Sequence, residues 1–100
     1  MPCKNDETFL HLEDVTAIDR NLLFVATQRG LRFCFHIGEL LEYLKPLLDA
    51  KAPLLNPHTQ VPFHTRTLRR LVERAHSLRR HGHLPRNARP GFNALISFLG

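Results

Sequence analysis

Cysteine is almost missing from this chain, which holds only Cys3 and Cys34. Two are too few for the disulfide framework that staples small secreted domains, and a reducing compartment suits them. Also missing is any apolar run approaching the roughly eighteen residues that a membrane helix needs. The opening stretch MPCKNDETFLHLED places acids where a signal peptide requires a basic and then an apolar segment. The expected location is therefore intracellular and cytoplasmic, or outside the cell by a route that uses no cleaved signal. No glycine-rich phosphate loop is found, and no nucleophile has a convincing base beside it. Cys34 falls in a strand pattern that offers no means of lowering its thiol pKa, which argues against a thioester-forming nucleophile.

Acid is almost absent from the second half. Residues 51–100 hold nine bases against Glu73 alone, a net of +8, whereas residues 1–50 hold five bases against eight acids, a net of −3. Such asymmetry points the basic half toward an acidic partner. The chain of 100 residues, 43% apolar with seven Phe, is enough for one compact core and too apolar for disorder.

The pattern along the chain gives an order of elements. Residues 1–8 are polar and expected to fray, and the ordered part begins at Phe9, Leu10 and Leu12. Residues 14–21 read as a loop. The apolar run 22–27, the turn Gln28-Arg29-Gly30 and the alternation of Leu31, Phe33 and Phe35 against Arg32, Cys34 and His36 then spell a β-hairpin with one buried face. From Ile37 the period changes. Ile37, Leu40, Leu41, Leu44 and Leu48 fall at helical spacing, with Glu39, Glu42 and Lys45 on the other side. This predicts a helix over 37–49 that Pro46 should end or kink early.

Pro53, Pro57 and Pro62 then forbid a helix across 50–64. A second apolar stripe follows at Leu68, Leu71, Val72, Ala75 and Leu78, with Thr65 or Thr67 placed to cap it. Its outer face carries Arg66, Arg69, Arg70, Arg74, Arg79 and Arg80. Phe92, Leu95, Ile96 and Leu99 form a final short helix that packs back onto the core after a basic linker.

Loop, hairpin, helix, proline-bearing loop and helix, in that order, resemble a U-box, the zinc-free relative of the RING domain in E3 ubiquitin ligases. The likeness covers about residues 12–76. Asn56-Pro-His-Thr-Gln-Val-Pro-Phe63 is similar to the family's second loop, Asp-Pro-x-Thr-x-x-Pro-Leu. Gly30-Leu-Arg-Phe33 resembles the entry to the second strand, and Tyr43-Leu44 the end of the central helix. The first loop departs from the family, reading Thr16-Ala17-Ile18-Asp19.

The resemblance implies an α+β, U-box/RING-like fold with two long loops, a hairpin, a central helix, a C-terminal helix and no zinc. With the chain pattern it divides the sequence into a flexible tail over 1–8, a U-box-like domain over 9–80, and a basic linker with a short last helix over 81–100. It also implies a ligase module that docks a ubiquitin-charged E2 enzyme without cofactor and without a covalent intermediate. The chain also resembles the divergent U-box-like domains of secreted bacterial effectors that are injected into host cells. By this mapping Ile18, Tyr43 and Pro57 contact the E2. Gln60 takes the position of the basic residue that favours the closed E2–ubiquitin state, and Asn56 and Thr59 stabilise the loop in place of metal.

Two other readings compete. Cys34, His36, His58 and His64 could supply four zinc ligands, but their spacing fits no familiar zinc pattern. His76, His81 and His83 read as solvated. The arginine face, Arg66, Arg69, Arg70 and Arg74 above all, could instead neutralise phosphates of a nucleic acid, with Arg86 and Arg89 beyond it. Neither stacking aromatics nor a helix-turn-helix spacing accompanies it.

Overall fold

A computed structural model describes residues 2–100. Two antiparallel strands, β1 (Leu23–Gln28) and β2 (Leu31–His36), form the only sheet among them. Three helices follow: α1 (Ile37–Asp49), α2 (Thr65–Arg80) and α3 (Arg89–Leu99). The architecture is α+β.

The hairpin closes through Arg29 and Gly30, with φ of 52° and 77°. Positive φ at both central residues is the turn whose twist matches that of the strands, and Gly30 meets it without a side-chain clash. Register runs from Leu23 opposite His36 to Gln28 opposite Leu31. Phe24, Ala26 and Gln28 of β1 face inward with Phe33 and Phe35 of β2. Cys34 points to the other face but is also buried, for a reason given below.

Helix α1 lies at the centre, with Ile37, Leu40, Leu41 and Leu44 fully buried. The His36 ring caps its start, Nδ1 accepting from the Gly38 N–H at 3.0 Å. Contrary to expectation, the helix runs through Pro46 to Asp49. Pro46 lies in the last turn, so its missing N–H removes a single intrahelical bond while Leu47 and Leu48 continue to pack on the core. Glu39, expected on the solvent side, is 3% exposed. Helix α2 buries Leu68, Leu71, Ala75 and Leu78 as its period requires. Neither Thr65 nor Thr67 caps it, however. The cap position is His64, with no side-chain bond, because the helix begins one residue before the threonine geometry would allow.

Helix α3 docks on α1 by backbone contact. A Cβ built on Gly91 would lie 2.0 Å from the Leu41 carbonyl oxygen, so only glycine lets the two helices meet; Phe92 and Leu95 of the same helix are buried, the Phe92 ring lying beside His76 and under Arg79 of α2. Gly91→Ala is therefore expected to force the helices apart and lower the melting temperature by about 10 °C or more, read by circular dichroism. An unchanged transition would mean that α3 does not dock there.

Residues 3–8, expected to fray, are tied to β2. Cys3 is disulfide-bonded to Cys34 across 31 positions, correcting the expectation of two free thiols. The pairing arises because the chain lies along β2. The Lys4 N–H donates to Arg32 O at 2.7 Å. The Asn5 side chain both donates to Cys34 O at 2.9 Å and accepts from Cys34 N–H at 2.9 Å. Thr8 is 1% exposed, and Glu7 and Asp14 bridge as a small antiparallel turn. No helix among the described residues is long and apolar enough to cross a membrane.

Candidate functional site

The proline-bearing loop is a miniature hairpin. Leu55 and Pro62 bridge, Asn56 N–H donates to Val61 O at 2.9 Å, and Phe63 N–H donates to Leu54 O at 2.9 Å. At the tip, Gln60 N–H turns back to Asn56 O at 2.8 Å with Gln60 at φ 61°. A non-glycine residue at that φ costs of order 1 kcal/mol, which the surrounding bonds must overcome.

Gln28, the last residue of β1, supplies those bonds. Its Oε1 accepts from Asn56 Nδ2 at 3.0 Å and from Thr59 Oγ1 at 2.8 Å. Its Nε2 donates to Pro62 O at 3.1 Å. Asn56, 0% exposed, closes the set by accepting the His58 N–H on Oδ1 at 2.9 Å, and Thr59 Oγ1 accepts from Val61 N–H at 3.1 Å. Both loop side chains singled out from the sequence are thus part of one buried network. Its organiser, Gln28, was not foreseen: a glutamine beside Arg29-Gly30 reads as a turn residue until the strand face is known.

The loop meets α1 through Tyr43, whose hydroxyl donates to Leu55 O at 2.8 Å. Burial pushes the Tyr43 phenol above its usual value. Beside it, His58 lies among rings, stacked on Phe33 at 5.7 Å and near Phe35 at 5.6 Å and Phe9 at 6.1 Å. Its buried Nε2 has no hydrogen-bond partner. Burial depresses the imidazole pKa below the usual histidine value of 6.5, partly opposed by the Glu39 carboxylate.

The remaining predicted residues divide. Pro57 is half-exposed and Gln60 exposed at the loop tip, although Gln60 Nε2 donates to Pro57 O at 3.2 Å. Ile18, expected to project from the first loop, is 9% exposed. It sits between two short 3-10 turns, Val15–Ala17 and Arg20–Leu22, capped by Asp14 and Asp19. Hydrogen bonds from the Thr16 side chain and backbone hold the Asp14 carboxyl below its usual value.

The basic face of α2 is partly structural. Arg70 donates to Val25 O at 3.2 Å and lies over the Phe24 ring, and Arg74 donates to Asn21 O at 3.0 Å. Arg66 and Arg69 are exposed. The histidine and cysteine positions weighed for zinc do not converge: Cys34 is in the disulfide, His36 caps α1 and His64 is exposed. No group of three or more His, Cys, Asp or Glu side chains placed to hold a metal occurs among the described residues. No protein-family model, curated protein or solved structure matches this chain.

Two outcomes follow. Gln28→Leu strands the buried Asn56 Nδ2 and takes the acceptor from the partly buried Thr59 hydroxyl, so urea unfolding is expected to show a loss of about 2–3 kcal/mol, and a loss below about 0.5 kcal/mol would contradict the network. For His58, a folded-state pKa below the unfolded one means that the unfolded chain binds the proton more readily. Stability is then complete above about pH 6.5 and declines as pH falls through the depressed folded value. His58→Phe should flatten that decline between about pH 7 and 5 in thermal melts.

Proposed function

We propose that this domain is a U-box-like module that docks a ubiquitin-charged E2 enzyme and promotes ubiquitin transfer to a substrate lysine. The observation that carries the reading is the bracing of the loop 54–63 by the side-chain hydrogen bonds of Gln28, Asn56 and Thr59. A RING domain gives this rigidity to its loops with zinc; here buried amides take that part, and the loop is presented beside a central helix that follows a hairpin. Pre-ordering such a loop removes entropy that docking would otherwise cost.

In this reading Pro57 and the exposed edge of Tyr43 form the E2 contact, and Ile18 acts from beneath by holding the first loop in shape. The substrate lysine amine attacks the thioester carbonyl on the E2, an isopeptide bond forms, and the E2 cysteine leaves as thiolate. The domain contributes orientation, favouring the closed E2–ubiquitin arrangement. Gln60 is placed to donate a hydrogen bond to that arrangement, without the charge that a basic residue would bring. The nucleic-acid alternative rests on the exposed arginines of α2 and the tail beyond it, of which Arg70 and Arg74 also donate to main-chain carbonyls.

The test is an in vitro ubiquitination assay over a panel of E2 enzymes with wild type and Pro57→Ala. Polyubiquitin formation that falls about tenfold or more in the variant, with the melting temperature unchanged, is the expected result; tenfold in affinity corresponds to about 1.4 kcal/mol at the contact. Equal activity of the two proteins would remove Pro57 from the surface. Silence of wild type across the panel, together with duplex DNA binding that persists at physiological salt, would replace the ligase reading by the nucleic-acid one.

A further inference from the structure

We propose that residues 3–11 form a redox-latched cover over the Tyr43 and His58 surface, held shut by the Cys3–Cys34 disulfide and opened by a thiol reductant. The inference rests on the docking reading and gives that surface its regulation.

The cover is made by Phe9. Its ring stands edge-on to Tyr43 at 4.7 Å and to His58 at 6.1 Å, so it lies across the junction between α1 and the loop 54–63. A partner that docks on this junction must displace or pack around it. Phe9 is half-buried and Thr8 is 1% exposed, whereas Leu10 is 47% exposed. The Thr8 N–H donates to Glu13 O at 2.8 Å, and polar ties hold the segment at its two ends. On one side are the disulfide and the paired Asn5–Cys34 bonds. On the other, the Glu39 carboxylate accepts from Leu10 N–H at 2.9 Å and from His11 N–H at 3.3 Å. The disulfide is the one covalent tie among these, and it adds to the effective concentration of Phe9 over its site.

The two sulfurs differ in access. Cys34 is 1% exposed whereas Cys3 is half-exposed, so an incoming thiolate reaches Cys3 Sγ. Attack there forms a mixed disulfide and expels Cys34 as thiolate, which takes a proton. A second reductant thiolate resolves the mixed disulfide, releasing Cys3 as a thiol and the reductant as its own disulfide. Two electrons and two protons pass to the protein. Cys34 then remains on β2 as a small buried thiol. The bonds of Gln28 to the loop involve none of the residues released, so the docking surface survives the opening.

Tyr43 is the only tyrosine and there is no tryptophan, so intrinsic fluorescence reads this junction alone. The experiment compares the full chain oxidised, the full chain reduced with dithiothreitol, Cys3→Ser, and Phe9→Ala kept oxidised. Each is followed by acrylamide quenching of Tyr43 and by titration with the E2 that the panel identifies. Reduction and Cys3→Ser are expected to raise quenching. All three open forms should bind the E2 about tenfold more tightly than the oxidised wild type, as when a competent fraction rises from roughly a tenth toward unity. Unchanged quenching on reduction overturns the latch. Raised quenching with unchanged E2 affinity overturns its role as a gate. If no form binds any E2, the docking reading itself falls, and the latch stands or falls on the quenching alone.

Discussion

One buried amide connects the two halves of the fold. Gln28 is at the end of β1, and through its oxygen and nitrogen it fixes Asn56, Thr59 and the Pro62 carbonyl, all at least 28 positions away. A hairpin and a loop could otherwise move independently, because the sheet has only two strands and no neighbour to share. In an interior of low dielectric each of these bonds is strong only while all are made, so the network sets one loop geometry and not a family of them. The strained φ at Gln60, the burial of His58 and the bond from Tyr43 to Leu55 all presuppose it.

The second constraint is the N-terminal segment. It covers Cys34, which explains why both faces of β2 are buried in a two-stranded sheet. It also gives Glu39 its purpose: a carboxylate 3% exposed is tolerated because two backbone N–H groups point at it. A cross-link closing 31 positions contributes roughly 3–4 kcal/mol by restricting the unfolded chain, a large part of what a domain of this size has to hold it together.

How much of this was legible in the sequence depended on range. The hairpin was, because period-two alternation and Gly30 are local signals, and so was α2, a helix of sixteen residues whose apolar stripe repeats from Leu68 to Leu78. The loop was readable from its three prolines and from Asn56 and Thr59, side chains that bond nearby backbone wherever they occur. Gln28 and Glu39 were not, since each takes its partner from a distant segment and each looks like surface in a linear pattern. The Cys3–Cys34 bond was hidden for the same reason: only the path of residues 3–8 along β2 brings the sulfurs together. Pro46 misled in the opposite direction, a local rule outweighed by packing on both sides of it. Ile18 showed that a polar neighbourhood in sequence does not make a residue exposed.

The reach of the Gln28 bonds also carries a consequence for how the chain folds. Contacts that close 28 to 34 positions are entropically slow to form, whereas β1 and β2 pair across a two-residue turn and α1 follows directly on β2. The Asn56 amide N–H and the Thr59 hydroxyl have no acceptor until that hairpin presents the Gln28 oxygen. The loop geometry proposed for recognition therefore takes shape only after the hairpin, and a nascent or damaged chain that has collapsed around its hairpin and central helix without closing those bonds lacks it.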